Sequence, residues 1–275
     1  MNDKSPCSRA VYIHEDAREN RGGLSRFFTL LRILVNRELK GRYRRSILGP
    51  VWAVIQPLLY LLIFMFIRGV LDIPSDGIPY PLFAYSALVP WTLFSGGITR
   101  SSMSITQNKA IINKVSVSKE LFPIISVSAV VIDFLISLAL LFLMMFFFKV
   151  PVGRFVLWVP IITILIILLS VGISLGFTAL GTYKDDFRFA LPFLMQVWML
   201  ASPVIYPVGK VPAKWQLFYK LNPMVGLIEG FRNALIKNAA PDFGLLWVSL
   251  AAIVGVWIVA WPLFRYLSRY FSDVL

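Results

Sequence analysis

LFPIISVSAVVIDFLISLALLFLMMFFF, residues 121–148, carries a single charged side chain, Asp133. At about 1.5 Å of rise per residue, a helix of this length outreaches the ~30 Å hydrocarbon core of a bilayer. Lipid offers no water to backbone N–H and C=O groups, so such a run must pair them internally, as a helix does. Five further stretches, 46–67, 77–99, 155–182, 189–209 and 243–264, contain no Asp, Glu, Lys or Arg at all. The six together predict an all-α integral membrane protein with six transmembrane helices.

Composition agrees. The chain of 275 residues is 58% apolar and only 15% charged, and its mean hydropathy is +0.75. A water-soluble domain of this make-up would expose far more apolar surface than it could hide. Cys7 is the one cysteine, so no disulfide framework is available and a free cytosolic thiol is expected. The first apolar run begins only at residue 46, so no signal peptide is expected.

The basic residues orient the chain. With the N-terminus in the cytoplasm, the inner side holds eleven Lys and Arg in residues 1–50, four in 100–122, two in 183–188 and two in the C-terminal tail, against eight outside. The positive-inside rule therefore predicts both termini in the cytoplasm.

Three segments outside the spans carry more specific information. In 24–45, Leu24, Phe27, Phe28, Leu30, Leu31, Leu34, Val35 and Leu39 fall on one side of a helix, and Arg26, Arg32, Arg37, Lys40 and Arg44 on the other. This predicts an amphipathic helix on the cytoplasmic membrane face, whose basic side also suits anionic lipid headgroups. A plain lipid anchor and a helix with a partner both fit the pattern. No base-reading motif accompanies the charge, so nucleic acid is not an expected partner. The segment 109–123, KAIINKVSVSKELFP, falls between the second and third spans, where a short helix could show an apolar face to a partner; an ordinary connecting loop is the alternative. In 206–242, Asn222 followed by Pro223 predicts a helix start. Val225, Leu227, Ile228, Phe231, Leu235 and Ile236 recur at helical spacing after it, and Glu229 and Arg232 are placed to pair. With a preceding helix at Ala213–Leu221 this would complete an external re-entrant hairpin, or a pair of helices lying along the outer leaflet.

VNRELKGRYRRSILGPVWAVIQPLLY (35–60), KELFP (119–123), YKDDFR (183–188) and NPMVGLIEGFRNAL (222–235), in that order, resemble the type-2 ABC transporter permeases that export polysaccharides, the O-antigen, capsule and teichoic-acid exporters. The resemblance runs from residue 24 onward; residues 1–23 match nothing and are expected to be a variable cytoplasmic tail. It implies a half-transporter in the bacterial cytoplasmic membrane. Such a chain pairs as a homodimer with two copies of a separate ABC ATPase and moves a lipid-linked polysaccharide from the inner leaflet. No GxxxxGK[ST] motif is present, so ATP and Mg are expected on the partner, with no cofactor, metal or catalytic residue in this chain. By similarity, 109–123 would be the coupling helix, with Lys114, Val117, Lys119, Glu120, Leu121 and Phe122 toward the ATPase. The 24–45 segment would be the interface helix, through Phe27, Leu31, Arg37, Lys40 and Arg44.

A glycan path calls for aromatic platforms and neutral hydrogen-bonding groups. The first span offers Trp52, Gln56, Tyr60 and Phe64 at four-residue spacing, and the fifth offers Phe189, Phe193 and Gln196, with Trp198 nearby. The resembling family lines its channel with these two spans. Asp133, about twelve residues into its stretch, is either a paired structural group or part of a gate. With no histidine in any span it does not make a proton relay. Permeases for drugs or small lipids are the alternative within the family. A secondary transporter or channel should show an internal repeat or several buried ionisable groups, and a membrane-embedded enzyme should show clustered acids or histidines; neither is visible. The topology has a direct check: Lys237→Cys should react with an impermeant thiol reagent applied to the outer face of intact cells, and labelling only after lysis would reverse the orientation.

Overall fold

The computed structural model describes residues 23–43, 46–112 and 118–271, and among these the chain is helical throughout. In order, the elements are α1 (Gly23–Tyr43), α2 (Trp52–Leu71), α3 (Tyr80–Ser101), α4 (Ser104–Gln107), α5 (Lys109–Ile112), α6 (Leu121–Phe147), α7 (Trp158–Tyr183), α8 (Asp185–Leu200), α9 (Ala213–Leu221), α10 (Pro223–Leu235) and α11 (Phe243–Ser268). Short 3-10 turns precede α2 and α7. Five helices are long and apolar enough to cross a membrane: α2, α3, α6, α7 and α11.

The predicted span at 189–209 differs. Its helix, α8, begins earlier, at Asp185, and stops at Leu200, so residues 201–207 of the apolar run are not helical before a 3-10 turn at Val208–Lys210. Pro203 and Pro207 lack the N–H that a continuing helix needs. Residues 202–205 are nevertheless buried, and side chains from elsewhere take the carbonyls of Pro203 and Ile205 as well as that of the exposed Ala201 just before them. Asn222 Nδ2 donates to Ala201 O at 2.8 Å, Arg232 Nη2 to Pro203 O at 2.7 Å and Tyr80 Oη to Ile205 O at 3.3 Å. Irregular backbone at this depth is tolerated only where protein supplies such partners.

The core centres on α3, buried over most of its length by α6, α7 and α10. Its aromatic residues, among them Tyr80, Phe83, Tyr85 and Phe94, are almost entirely enclosed. α10 is also largely buried, between α3, α7 and α11. Its approach to α11 depends on Gly226, where a methyl group would overlap the Leu245 carbonyl and the Ser249 hydroxyl. α1 packs on α6. Leu31, Leu34, Val35 and Leu39 are half-buried while Arg32, Arg37 and Lys40 are exposed, the two-sided pattern the sequence predicts. Of the proposed coupling helix, Lys109–Ile112 are helical as α5, residues 113–117 lie outside the described residues, and residues 118–120 form a turn before α6 starts at Leu121.

Arg232 lies at the centre of the end opposite α1. It is fully buried and donates through Nη1 to Glu229 Oε1 at 2.6 Å, as the spacing predicts. It also donates to Pro203 O, and its guanidinium lies 3.8 Å from the Phe83 ring centroid. Removing one member of a buried ion pair costs about 3–5 kcal/mol. Arg232→Met should therefore lower the thermal unfolding temperature of the detergent-solubilised protein sharply, and Arg232→Lys should recover only part of the loss, since an ammonium cannot stack and fork at once. A small shift with Arg232→Met would contradict the structural role given to this residue.

Candidate functional site

A cavity of about 940 Å³ opens between α2, α3, α6 and α8. α2 contributes Trp52, Gln56 and Tyr60; α3 contributes Trp91, Thr92 and Ser95; α6 contributes Asp133 and Ser137; α8 contributes Gln196. The hydroxyls are held by backbone: Thr92 Oγ1 donates to Val89 O at 3.0 Å, Ser95 Oγ to Trp91 O at 2.9 Å and Ser137 Oγ to Ala53 O at 3.0 Å. Their lone pairs remain available as acceptors. The wall is thus mainly apolar, with the rings of Trp52, Tyr60 and Trp91 and a few hydroxyls and amides set into it, a lining that can meet a hydroxyl-rich ligand with apolar faces.

Of the seven residues predicted to line a channel, Trp52, Gln56, Tyr60 and Gln196 are brought together here. Phe64 is not: it is buried in the core, its ring 6.1 Å from that of Tyr60. Phe189 and Phe193 are 80% and 70% exposed and do not reach the cavity. α8 turns Pro192, Met195 and Met199 inward, and this face leaves Gln196 at its edge and the two phenylalanines beyond it. Trp198 has a different task, for its Nε1 donates to Asn222 Oδ1 at 2.9 Å and its indole meets Phe94 edge-on at 5.1 Å. The α3 contribution was missed by the sequence reading, although Thr92, Ser95, Gly96 and Thr99 mark it as a polar stripe at i, i+3, i+4 and i+7.

Asp133 closes the α1 end of the cavity. Arg42 Nη1 of α1 stands 2.6 Å from Asp133 Oδ2 and Arg100 Nη2 of α3 stands 3.8 Å from the same oxygen. Of the two readings of Asp133, the structure shows it paired. Beyond this cluster lies a second cavity of about 490 Å³, bounded by α1, the end of α3, α4 and the start of α6.

The segments assigned to ATPase contact are distributed differently from the prediction. Leu121 and Phe122 form the first turn of α6 and are buried, Phe122 within a cluster that includes Leu175, Phe264 and Phe271. They do not present an outward face, because the apolar pattern that marks a docking helix also marks the entry of a buried span. Lys119 Nζ donates to Ser268 O at 2.6 Å, and Glu120 Oε1 is 3.7 Å from Arg265 Nε, so both brace their turn against α11. The neighbouring 183–188 turn is tied in as well: Tyr183 Oη donates to Leu267 O at 2.9 Å, and Arg188 pairs with Asp185 and donates to Thr106 Oγ1 at 3.0 Å. Arg37 and Lys40 are exposed and Leu31 is half-buried. Lys114, Val117 and Arg44 lie outside the described residues, as does the side chain of Phe27.

At the opposite end Asn222 caps α10, accepting from Met224 N at 3.0 Å with Pro223 at the first helical position, as predicted. Its amide also reaches Ser202 Oγ at 3.0 Å, so one side chain joins the end of α8 to the start of α10. α9 stands outside the core, with Trp215, Leu217, Phe218 and Leu221 exposed.

Comparison with known proteins accords with this geometry. The chain is 27% identical over 258 residues to the O-antigen export system permease protein RfbA of Klebsiella pneumoniae, covering 92% of this chain and 97% of the relative. A protein of the same name from Myxococcus xanthus is 27% identical over 83% of this chain and 88% of its own length. The polysialic acid transport protein KpsM of Escherichia coli is 27% identical over 81% of this chain and 87% of its own. Residues 29–236 match the ABC-2 type transporter family, from α1 through the end of α10, and the chain belongs to that family.

Proposed function

We propose that this chain is the membrane subunit of an ATP-driven exporter that carries a lipid-linked polysaccharide out of the cytoplasmic leaflet of a bacterial inner membrane. The observation that carries the reading is the nearly end-to-end similarity to permeases named for O-antigen and polysialic acid. The mainly apolar cavity, with its Trp and Tyr rings and its neutral hydroxyls and amides, supports it, because such a lining can hold sugars weakly. An exporter of drugs or small lipids is the less favoured reading, since neither kind of relative found is named for such cargo.

Six crossings, with both termini in the cytoplasm, follow if α8 and the irregular 201–206 segment together make the fifth. α8 itself has 16 residues, about 24 Å of helix, and its entry turn carries Asp185 and Asp186. On this orientation α1, α4, α5 and the 118–120 and 183–188 turns form the cytoplasmic side. α9 and α10 then form the external region, α10 inserted among the spans and α9 lying at the outer interface with its aromatic residues in lipid. Energy comes from two copies of an ABC ATPase with their ATP and Mg, docked against the cytoplasmic side through α1 and the 109–120 segment. The chain works as a homodimer. The outward apolar faces of α2 (Leu59, Leu62, Phe66) and of α8 (Phe189, Phe193) flank the cavity on either side and offer the surface for the second copy.

Pull-down of the tagged chain in mild detergent should recover an ABC ATPase in equal amount. Recovery of the chain alone, in detergents that preserve comparable complexes, would defeat the reading. Within the complex, Trp52→Ala and Tyr60→Ala should slow surface appearance of the polysaccharide about tenfold each, the scale of losing one sugar-stacking contact of roughly 1–1.5 kcal/mol, with ATPase binding intact. Quantitative blotting of surface glycan reads the effect, and unchanged export in both variants would remove α2 from the path.

A further inference from the structure

We infer that Asp133 is a positioning residue that latches α1 across the passage between the two cavities, and that this latch must part for cargo to enter. The inference rests on the export reading for what the cargo is, but the latch itself is argued from the geometry. The cavities share three lining residues, Arg42, Thr99 and Arg100, so these form the wall between them. The charged part of that wall converges on one oxygen: Asp133 Oδ2 faces Arg42 Nη1 at 2.6 Å and Arg100 Nη2 at 3.8 Å. Three elements, α1, α3 and α6, thus meet at a single carboxylate.

The surroundings make this contact strong when closed and still able to open. Asp133 sits in a helix otherwise free of charge between Leu121 and Phe147, where a bare carboxylate is costly and a paired one is not. The side chains of Arg42 and Asp133 are 11% and 15% exposed, shielded enough for the pair to matter and open enough for water to enter from either cavity as the charges separate. Arg42 lies near the C-terminal end of α1, which packs on α6 and whose Leu31, Leu34 and Leu39 are half-buried. A displacement of α1 by a partner would therefore break the Arg42 contact and open the wall in one movement. Removing the carboxylate takes away the Arg42 bond and a negative charge that both Arg42 and Arg100 face, which weakens the closed arrangement.

The test uses the full chain with its ATPase in inside-out membrane vesicles, with Cys7→Ser as background and Ser95→Cys as reporter in the larger cavity. The probe is an uncharged, membrane-impermeant maleimide. Asp133→Asn and Arg42→Gln should each raise the labelling rate about tenfold, the factor that corresponds to 1.4 kcal/mol. The exchange Arg42→Asp with Asp133→Arg should return the rate toward that of the parent. The two single variants change the local charge in opposite directions, so a purely electrostatic effect on the reporter would move their rates apart. Opposite shifts, or no shift in either, overturn the latch, and so does an exchange variant that inserts but labels as fast as the single ones. Should the exchange variant fail to insert, the two single variants decide. The export reading fails separately: a wild-type chain that binds ATPase yet restores no surface polysaccharide to a strain lacking it would defeat that reading and leave the labelling result standing.

Discussion

The bundle depends on the solution of one problem, how to bury a stretch of chain that is not helical. Residues 202–205 lie inside the protein, and each carbonyl left unpaired there would cost a few kcal/mol. Arg232 answers at Pro203 O and Tyr80 at Ile205 O, and Asn222 ties down the exposed Ala201 O just before them. These donors come from α10, the α9–α10 junction and α3, so satisfying the irregular segment also joins three separate parts of the chain. Arg232 can be placed so deep because its own charge is met by Glu229 one turn earlier and its flat face rests on Phe83. The helix cap at Asn222 adds the bond from Trp198, which fixes the end of α8.

The other end is built on different chemistry. Short helices and turns there pack on an apolar cluster that includes Ile105, Phe122, Leu175, Phe264 and Phe271, and long side chains reach from them to helix-end carbonyls, Lys119 to Ser268 and Tyr183 to Leu267. Carbonyls in the last turn are the natural acceptors at a helix C-terminus, and α11 supplies two of them. Each of these side chains reaches one carbonyl, whereas Arg232 alone meets Glu229, Pro203 and the Phe83 ring. The two ends are thus held by different kinds of contact. The cavity lies between them, with walls from helices anchored at both.

Most of the spans were legible because lipid leaves a long apolar run almost no other structure, and Asn222-Pro223 was legible because a cap is a local device. The fifth run was misread beyond Leu200 for the same reason the others were read correctly. Apolarity signals burial, and 202–205 are buried, but the prolines at 203 and 207 decide the backbone. Leu121 and Phe122 show the same limit, since an apolar face does not say whether its partner is another chain or the same one. The partner of Asp133 could not be read either, because Arg42 lies 91 positions away and only the packing of α1 on α6 brings them together. Phe189, Phe193 and Gln196 share a spacing, yet the inward face of α8 is set by Pro192, Met195 and Met199, which shifts the phase enough to leave the aromatics outside.

Two arginine–carboxylate pairs in this chain have the same separation, 2.6 Å, and geometry at that level does not distinguish them. Their surroundings do. The Arg232 guanidinium has no exposed surface and meets acceptors from two other elements and an aromatic face, so moving it would strand several buried groups at once. Arg42 and Asp133 sit between two cavities, each keeping a little exposed surface, and water can replace either partner as they part. The desolvation that makes a buried pair costly to break is nearly complete in one case and partial in the other. The first pair is accordingly a fixed point of the fold. The second is placed where a change of state would be least costly to the rest of the bundle.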